Sequence, residues 1–159
     1  MSPLTFTFME KLEYKIVIAA PAKQVWEMML GEKTYKQWTE RAWPGSTFEG
    51  KWAEGERMKF MGPDGSGTLA EVAEAKPHER VFARHIAVLQ KGGVEDRTSD
   101  VAKDWIGTTE AYDLSERDGE TTLTVTIEAP PQWVEMFNEG WPIALEDLKR
   151  ITEEVSHPV

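Results

Sequence analysis

The sequence predicts an α+β fold in which an antiparallel sheet grips one long C-terminal helix, and three observations carry that prediction. First, within residues 141–155 the side chains of Trp141, Ala144, Leu145, Leu148, Ile151, Thr152 and Val155 recur at three- and four-residue steps. Glu146, Asp147, Lys149, Arg150, Glu153 and Glu154 fill the positions between, so the segment has one apolar stripe and one wet face and needs a partner surface. Second, Leu123, Val125 and Ile127 alternate with Thr122, Thr124, Thr126 and Glu128, the period of a half-buried strand that leads into that helix. Third, most of residues 57–129 reads as strands in succession, and helices segregated from such a run make an α+β arrangement.

From the N-terminus, Leu12, Tyr14, Ile16 and Ile18 form one apolar face of a strand that ends at Ala20. Pro21 suits the first turn of a helix over 21–30, with Val25, Trp26 and Met29 on its apolar side and Gly31 as its stop. A short second helix covers 33–38, and an irregular link with Pro44, Gly45 and Gly50 follows, in which Thr47 and Phe48 can start a strand. Residues 57–61 and 68–75 make a hairpin around Gly62, Pro63, Asp64, Gly65 and Gly67. After Pro77, residues 80–89 form a strand with apolar side chains on both faces. Residues 90–104 read as a long polar loop, the length at which a lid is expected. Residues 106–114 and 120–129 form a second hairpin, turning near Arg117, Asp118 and Gly119. In the last helix Pro142 belongs in a first turn or at a kink, and Glu146 stands four residues before Arg150, the favourable order for a helix pair.

Length and composition bound the function. With 159 residues, 40% of them apolar and 10% aromatic, the chain suits one domain, 1–159, with a full core. A net charge of -10 argues against nucleic acid or an anionic membrane as partner. Cysteine is absent, which excludes disulfides, thiolate metal sites and a cysteine nucleophile. His78, His85 and His157 are too scattered for a transition-metal site, so no metal or other cofactor is expected. No stretch reads as a signal peptide or a membrane span, and a cytoplasmic protein is the default expectation.

Several segments resemble one family. The run Lys15-Ile-Val-Ile-Ala-Ala-Pro-Ala-Lys-Gln-Val-Trp26 is similar to the opening strand and helix of the START-like, birch-pollen-allergen-type (SRPBCC) superfamily, in the branch named after activators of the heat-shock-protein-90 ATPase (AHSA-type). Gly55-Glu-Arg-Met-Lys-Phe60 with Gly62-Pro-Asp-Gly65 resembles its central hairpin, and Pro77-His-Glu-Arg-Val-Phe82 its next strand. Gly140-Trp-Pro-Ile-Ala-Leu145 with Leu148 resembles its last helix. The resemblance implies a helix-grip fold with a cavity between sheet and helix, serving in different members as a hydrophobic-ligand binder, an enzyme or a co-chaperone module. The eukaryotic co-chaperones of this name carry a further N-terminal domain, and the stretch ahead of Leu12 is too short to be one, which weighs against chaperone activation.

Within that frame Glu110 is the most informative single residue. If Ile106, Tyr112 and Leu114 face inward, the period of two puts Thr108 and Glu110 on the same face, a carboxylate inside an apolar cavity. Such a group has a raised pKa or a cationic partner such as Arg84; a bulge, a rim position or a structural ion pair are the competing readings. His85 faces inward with Val81 and Ala83, or outward if the opposite face is core, and the sequence leaves both open. Phe60, Tyr112, Trp141, Leu145 and Leu148 complete the expected ligand-binding set, against plain core packing. The other tryptophans, Trp26, Trp38, Trp43, Trp52, Trp105 and Trp133, are assigned mainly to anchoring, with some at the cavity mouth. No Gly-x-Ser-x-Gly elbow or phosphate loop is present, and no catalytic residue is assigned.

The sequence therefore supports binding of a small apolar, lipid-like ligand without catalysis. An interaction module acting on a chaperone, in keeping with a stress-response role, and a cyclase or hydrolase using Glu110 and His85 are the alternatives. Monomer and homodimer stay equally open.

Overall fold

The computed structural model describes residues 8–158. Its elements run β1 (Glu10–Ile18), α1 (Ala22–Leu30), α2 (Glu32–Thr39), β2 (Thr47–Glu49), β3 (Arg57–Met61), β4 (Gly67–Lys76), β5 (Arg80–Gln90), β6 (Val94–Asp96), α3 (Asp100–Trp105), β7 (Thr109–Arg117), β8 (Glu120–Ala129) and α4 (Val134–Ser156). The strands form one curved antiparallel sheet in the order β1-β8-β7-β5-β4-β3-β2, with the short β6 beside β5. The first strand thus lies against the last: Leu12 is opposite Ile127, Tyr14 opposite Val125 and Ile16 opposite Leu123. These alternating residues give the sheet its core face, and α4 packs against β1, α1 and α2 to cover it. This is the α+β helix-grip architecture.

Local chemistry explains the element ends. Pro21, with φ of -63°, stands just before α1 and offers no capping side chain. Its place is taken from across the fold, where Glu116 Oε1 accepts the Ala22 N–H at 2.6 Å, an acidic group at the positive end of the helix. Glu153 plays the same part for the chain between β1 and α1, accepting the Ala19 N–H at 2.8 Å.

Four sequence expectations need correction. Residues 90–104 are not an open loop: they hold β6 and α3. Asp96 accepts the backbone N–H groups of Thr98 and Ser99 at 3.1 and 3.0 Å, and Ser99 in turn caps Ala102 N–H at 3.2 Å. Next, β7 starts at Thr109 rather than at 106, because Gly107, with φ of +99°, turns the chain out of α3 first. The terminal helix begins at Val134 rather than near 141, with Pro142 inside it. A proline there withholds one N–H from the carbonyl four residues earlier, and burial of Phe137, Gly140, Trp141 and Ala144 along one stripe holds the turn together. Finally, Arg150 does not turn back to Glu146. It stands 3.5 Å from Glu154 and 3.8 Å from Asp147, while Glu146 faces Arg41 at 3.5 Å.

Candidate functional site

Curling the sheet toward the N-terminal half of α4 leaves a cavity of about 600 Å³. Its wall draws on α2, β3, β5, α3, β7, the turn before α4 and α4 itself. Nine aromatic side chains line it: Tyr35, Trp38, Trp43, Phe60, Trp105, Tyr112, Trp133, Phe137 and Trp141. Aliphatic side chains are few, namely Val88, Leu89, Val101 and Met136. The rings hold one another in edge-to-face and tilted contacts, for example Trp43 on Trp141 (centroids 5.3 Å apart, 74°) and Trp105 on Trp133 (5.8 Å, 80°). Val101 and Met136, 52% and 37% exposed, mark an apolar mouth between α3 and α4. Ser46, Ser66, Gln90 and Ser99 add polar groups to the lining, each already engaged with the protein's own oxygens.

Strand pairing brings the polar chemistry to one place. Glu110 on β7 is opposite Ala83 on β5, and Tyr112 is opposite Val81. Period-two alternation sends both into the cavity wall. His85 lies two residues beyond Ala83 on the same face, its backbone N–H donating to Thr108 O at 2.8 Å and its carbonyl accepting Gly107 N–H at 3.0 Å. The result is a close cluster. Tyr112 Oη donates to Glu110 Oε2 at 2.7 Å, and His85 Nε2 stands 3.3 Å from Glu110 Oε1. That second contact has ion-pair distance without the alignment of a full hydrogen bond, and Nδ1 of the ring is buried with no protein partner. The side chain of His85 is 2% exposed and that of Glu110 14%.

The electrostatics follow from that geometry. Burial pushes the Glu110 carboxyl up, but the adjoining His85 and the Tyr112 hydroxyl outweigh it and hold the group below its ordinary range. Both cavity phenols move the other way. Burial first, and then the Glu110 charge, raise Tyr35 and Tyr112, so each stays a neutral donor. Among the described residues that line the cavity there is no lysine or arginine. Across the described residues no group of three or more His, Asp or Glu is placed to hold a metal ion.

Of the residues expected from sequence, Phe60, His85, Glu110, Tyr112 and Trp141 meet in this wall. Leu145 and Leu148 do not. They lie about 6 and 10 Å farther along the helix axis than Trp141, at 1.5 Å per residue, and are buried in the continuous core instead. Arg84 is not the partner of Glu110 either: it is exposed and lies over the Phe82 ring at 5.7 Å. Sequence reasoning gave Trp38, Trp43, Trp105 and Trp133 mainly an anchoring role and did not single out Tyr35 or Phe137. The available signal was the count of seven tryptophans, too many for anchoring alone.

Comparison with known proteins places this geometry. Residues 19–153 match the family described as activator of Hsp90 ATPase homolog 1-like protein. No curated protein matches the chain. Among solved structures, a protein from Nitrosomonas europaea is 16% identical with a TM-score of 0.69, over 97% of this chain and 99% of its own. The Aha1 dimer from Colwellia psychrerythraea is 19% identical with a TM-score of 0.68, over 91% of this chain and 97% of its own. DynU16, from the dynemicin biosynthetic locus, is 21% identical with a TM-score of 0.67, over 92% of this chain and 48% of its own. At these identities the likeness is one of fold. Because the match spans most of the sequence, the chain belongs to the family of activator of Hsp90 ATPase homolog 1-like proteins, within the START-like superfamily.

Proposed function

We propose that the chain binds a small, largely apolar molecule with a ring system in the cavity between the sheet, α3 and α4. One observation carries the reading: about 600 Å³ of space, the size of a ligand pocket, walled by nine aromatic side chains, with the exposed Val101 and Met136 at its rim. Aromatic faces favour a flat occupant over a flexible acyl chain, since stacking adds to area burial. Binding needs no cofactor and no chemical step. The test is native mass spectrometry of freshly purified protein, followed by solvent extraction and identification of what comes off. A reproducible apolar adduct that is absent from the Val88→Trp variant, in which an indole fills the cavity, supports the reading. An empty protein that takes up no fatty acid, sterol or polycyclic aromatic compound overturns it.

A second reading rests on the approach of His85 to Glu110 at 3.3 Å inside the cavity. A buried base beside a carboxylate suits a cyclase- or hydrolase-type enzyme. Recovery of a chemically altered compound after incubation, lost in His85→Gln, separates it from simple binding. The family's description supplies a third reading, an interaction module for a heat-shock chaperone. Stimulation of a chaperone's ATPase by the purified chain is the measurement for it, and the dimeric state of the Colwellia structure makes self-association worth measuring alongside.

A further inference from the structure

We infer that the ligand of this cavity presents a hydrogen-bond donor to Glu110 and carries no carboxylate, so the site takes hydroxylated or amine-bearing ring compounds and rejects fatty acids and aromatic acids. The inference rests on the cavity-binding reading and specifies its chemistry. Its first support is the inventory of charge in the wall. Glu110 is the sole carboxylate there, and no lysine or arginine lines the cavity among the described residues. The one side chain able to carry positive charge, His85, already faces Glu110 at 3.3 Å. An anionic ligand would enter a desolvated space beside a carboxylate with no cation left to receive it, and burying a charge so unpaired is costly.

The second support is lone-pair arithmetic. An ionised carboxylate offers about four acceptor sites and no donor. Tyr112 Oη takes one on Oε2, and the His85 contact on Oε1 is misaligned, so acceptor capacity remains on a group that is 14% exposed to the cavity it lines. Four other polar side chains of the lining are neutral and already spend a donor on the protein's own oxygens: Ser46 on Trp43 O, Ser66 on Asp64, and Gln90 and Ser99 on Asp96. The wall also holds unpartnered donors, the buried indole N–H groups of Trp105, Trp133 and Trp141, but its only acidic charge is the Glu110 carboxylate, whose spare acceptor sites are met by O–H or N–H.

The test uses the full chain and three naphthalene probes of one shape: naphthol, aminomethylnaphthalene, which is cationic at neutral pH, and naphthoate. Affinities are read by calorimetry for the wild type and for Glu110→Gln, with circular dichroism to confirm folding. Naphthol or the ammonium binds at least about tenfold tighter than naphthoate, because a hydrogen bond to a charged group is worth about that factor. In Glu110→Gln the preference collapses, since the amide both donates and accepts. Tighter binding of naphthol than of the ammonium assigns the occupant to the hydroxyl class, and the reverse assigns it to the amine class; either supports the inference. Naphthoate binding as tightly as both donors in the wild type overturns it while leaving the cavity reading intact. Discrimination that persists unchanged in Glu110→Gln overturns the assignment to Glu110. Failure of all three probes, together with an empty protein on extraction, overturns the cavity reading itself and this inference with it. Should Glu110→Gln not fold, Tyr112→Phe is the second variant: it frees an acceptor site on Glu110, and the donor preference is retained or grows.

Discussion

The His85 imidazole stands edge-to-face against the Trp105 indole, ring centroids 5.1 Å apart at 67°, and this contact fastens the short α3 to the middle strand of the sheet. The backbone repeats the attachment, since Gly107 and Thr108, immediately after α3, hydrogen-bond to His85 on both of its peptide groups. The residue that faces Glu110 is therefore held by the element that walls the cavity mouth.

Trp105 is accordingly a residue on which cavity and stability depend together. It also meets Trp133 and Phe137, and its burial is nearly complete. Trp105→Ala is expected to cost about 3–5 kcal/mol, the usual range for removing a large buried ring. Urea denaturation measures that cost, and ring-ligand affinity at saturating stability conditions is expected to fall as well.

Leu148 separates the core from the site. It is fully buried outside the cavity wall, so Leu148→Ala is expected to lose about 2–5 kcal/mol of stability while the folded fraction binds ligand as the wild type does. Parallel denaturation and binding curves check it; a large drop in affinity in the folded variant would place Leu148 at the site after all.

Gly140 tests the packing of the wall from behind. Glycine inside a helix costs about 1 kcal/mol relative to alanine, so a solvent-facing Gly→Ala change would stabilise α4. Here a Cβ would meet Trp43 Cζ2 at 2.5 Å and two further indole atoms below 3.0 Å. The rigid ring is itself packed on Trp141, so overpacking wins and Gly140→Ala is expected to destabilise by about 1–3 kcal/mol. A thermal melt gives the sign directly.

Glu110 makes a pH prediction. Its folded-state pKa is depressed, so the ionised group contributes stability that is present above the ordinary carboxylate range and is lost as pH falls through the depressed value. Tyr112→Phe removes one of the contacts that lower it, and the Glu110 titration is expected to move upward. Carboxyl-carbon NMR across an acid titration reads the shift, and the acid unfolding of the variant is expected to begin at higher pH.

Asp147, buried on α4 beneath its arginine partners, behaves in the same direction. Arg41 holds it with two hydrogen bonds of 2.9 Å and keeps its carboxyl below the ordinary range, chiefly through those bonds. Its contribution is expected to be full above that range and to fade as pH falls through the lowered value. Asp147→Asn should therefore narrow the stability difference from wild type in acid, measured by denaturation at stepped pH.

Much of the fold was legible in the chain because burial on one face imposes a period. Arg57–Met61 and Glu120–Ala129 are read from sequence with the bounds the structure has, since alternation and turn glycines agree there. The elements of three and six residues, β6 and α3, complete less than two periods, and only the Asp96 and Ser99 capping chemistry could have announced them. In the same way Trp141 was legible as an inward residue, but where the inward stripe of α4 changes from cavity wall to core was not.

The sequence by itself determined the succession of strands closed by a long amphipathic helix, the placing of Glu110 and Tyr112 on one common face of their strand, and the absence of any thiolate chemistry, because each follows from local period or composition. Tertiary structure alone decided that His85 rather than Arg84 faces Glu110, that Trp38, Trp43, Trp105 and Trp133 wall a cavity, and that Leu145 and Leu148 do not. Those outcomes depend on strand register and on how far the sheet curls from the helix before their side chains meet, distances set by contacts between residues remote in the chain, which no local pattern encodes.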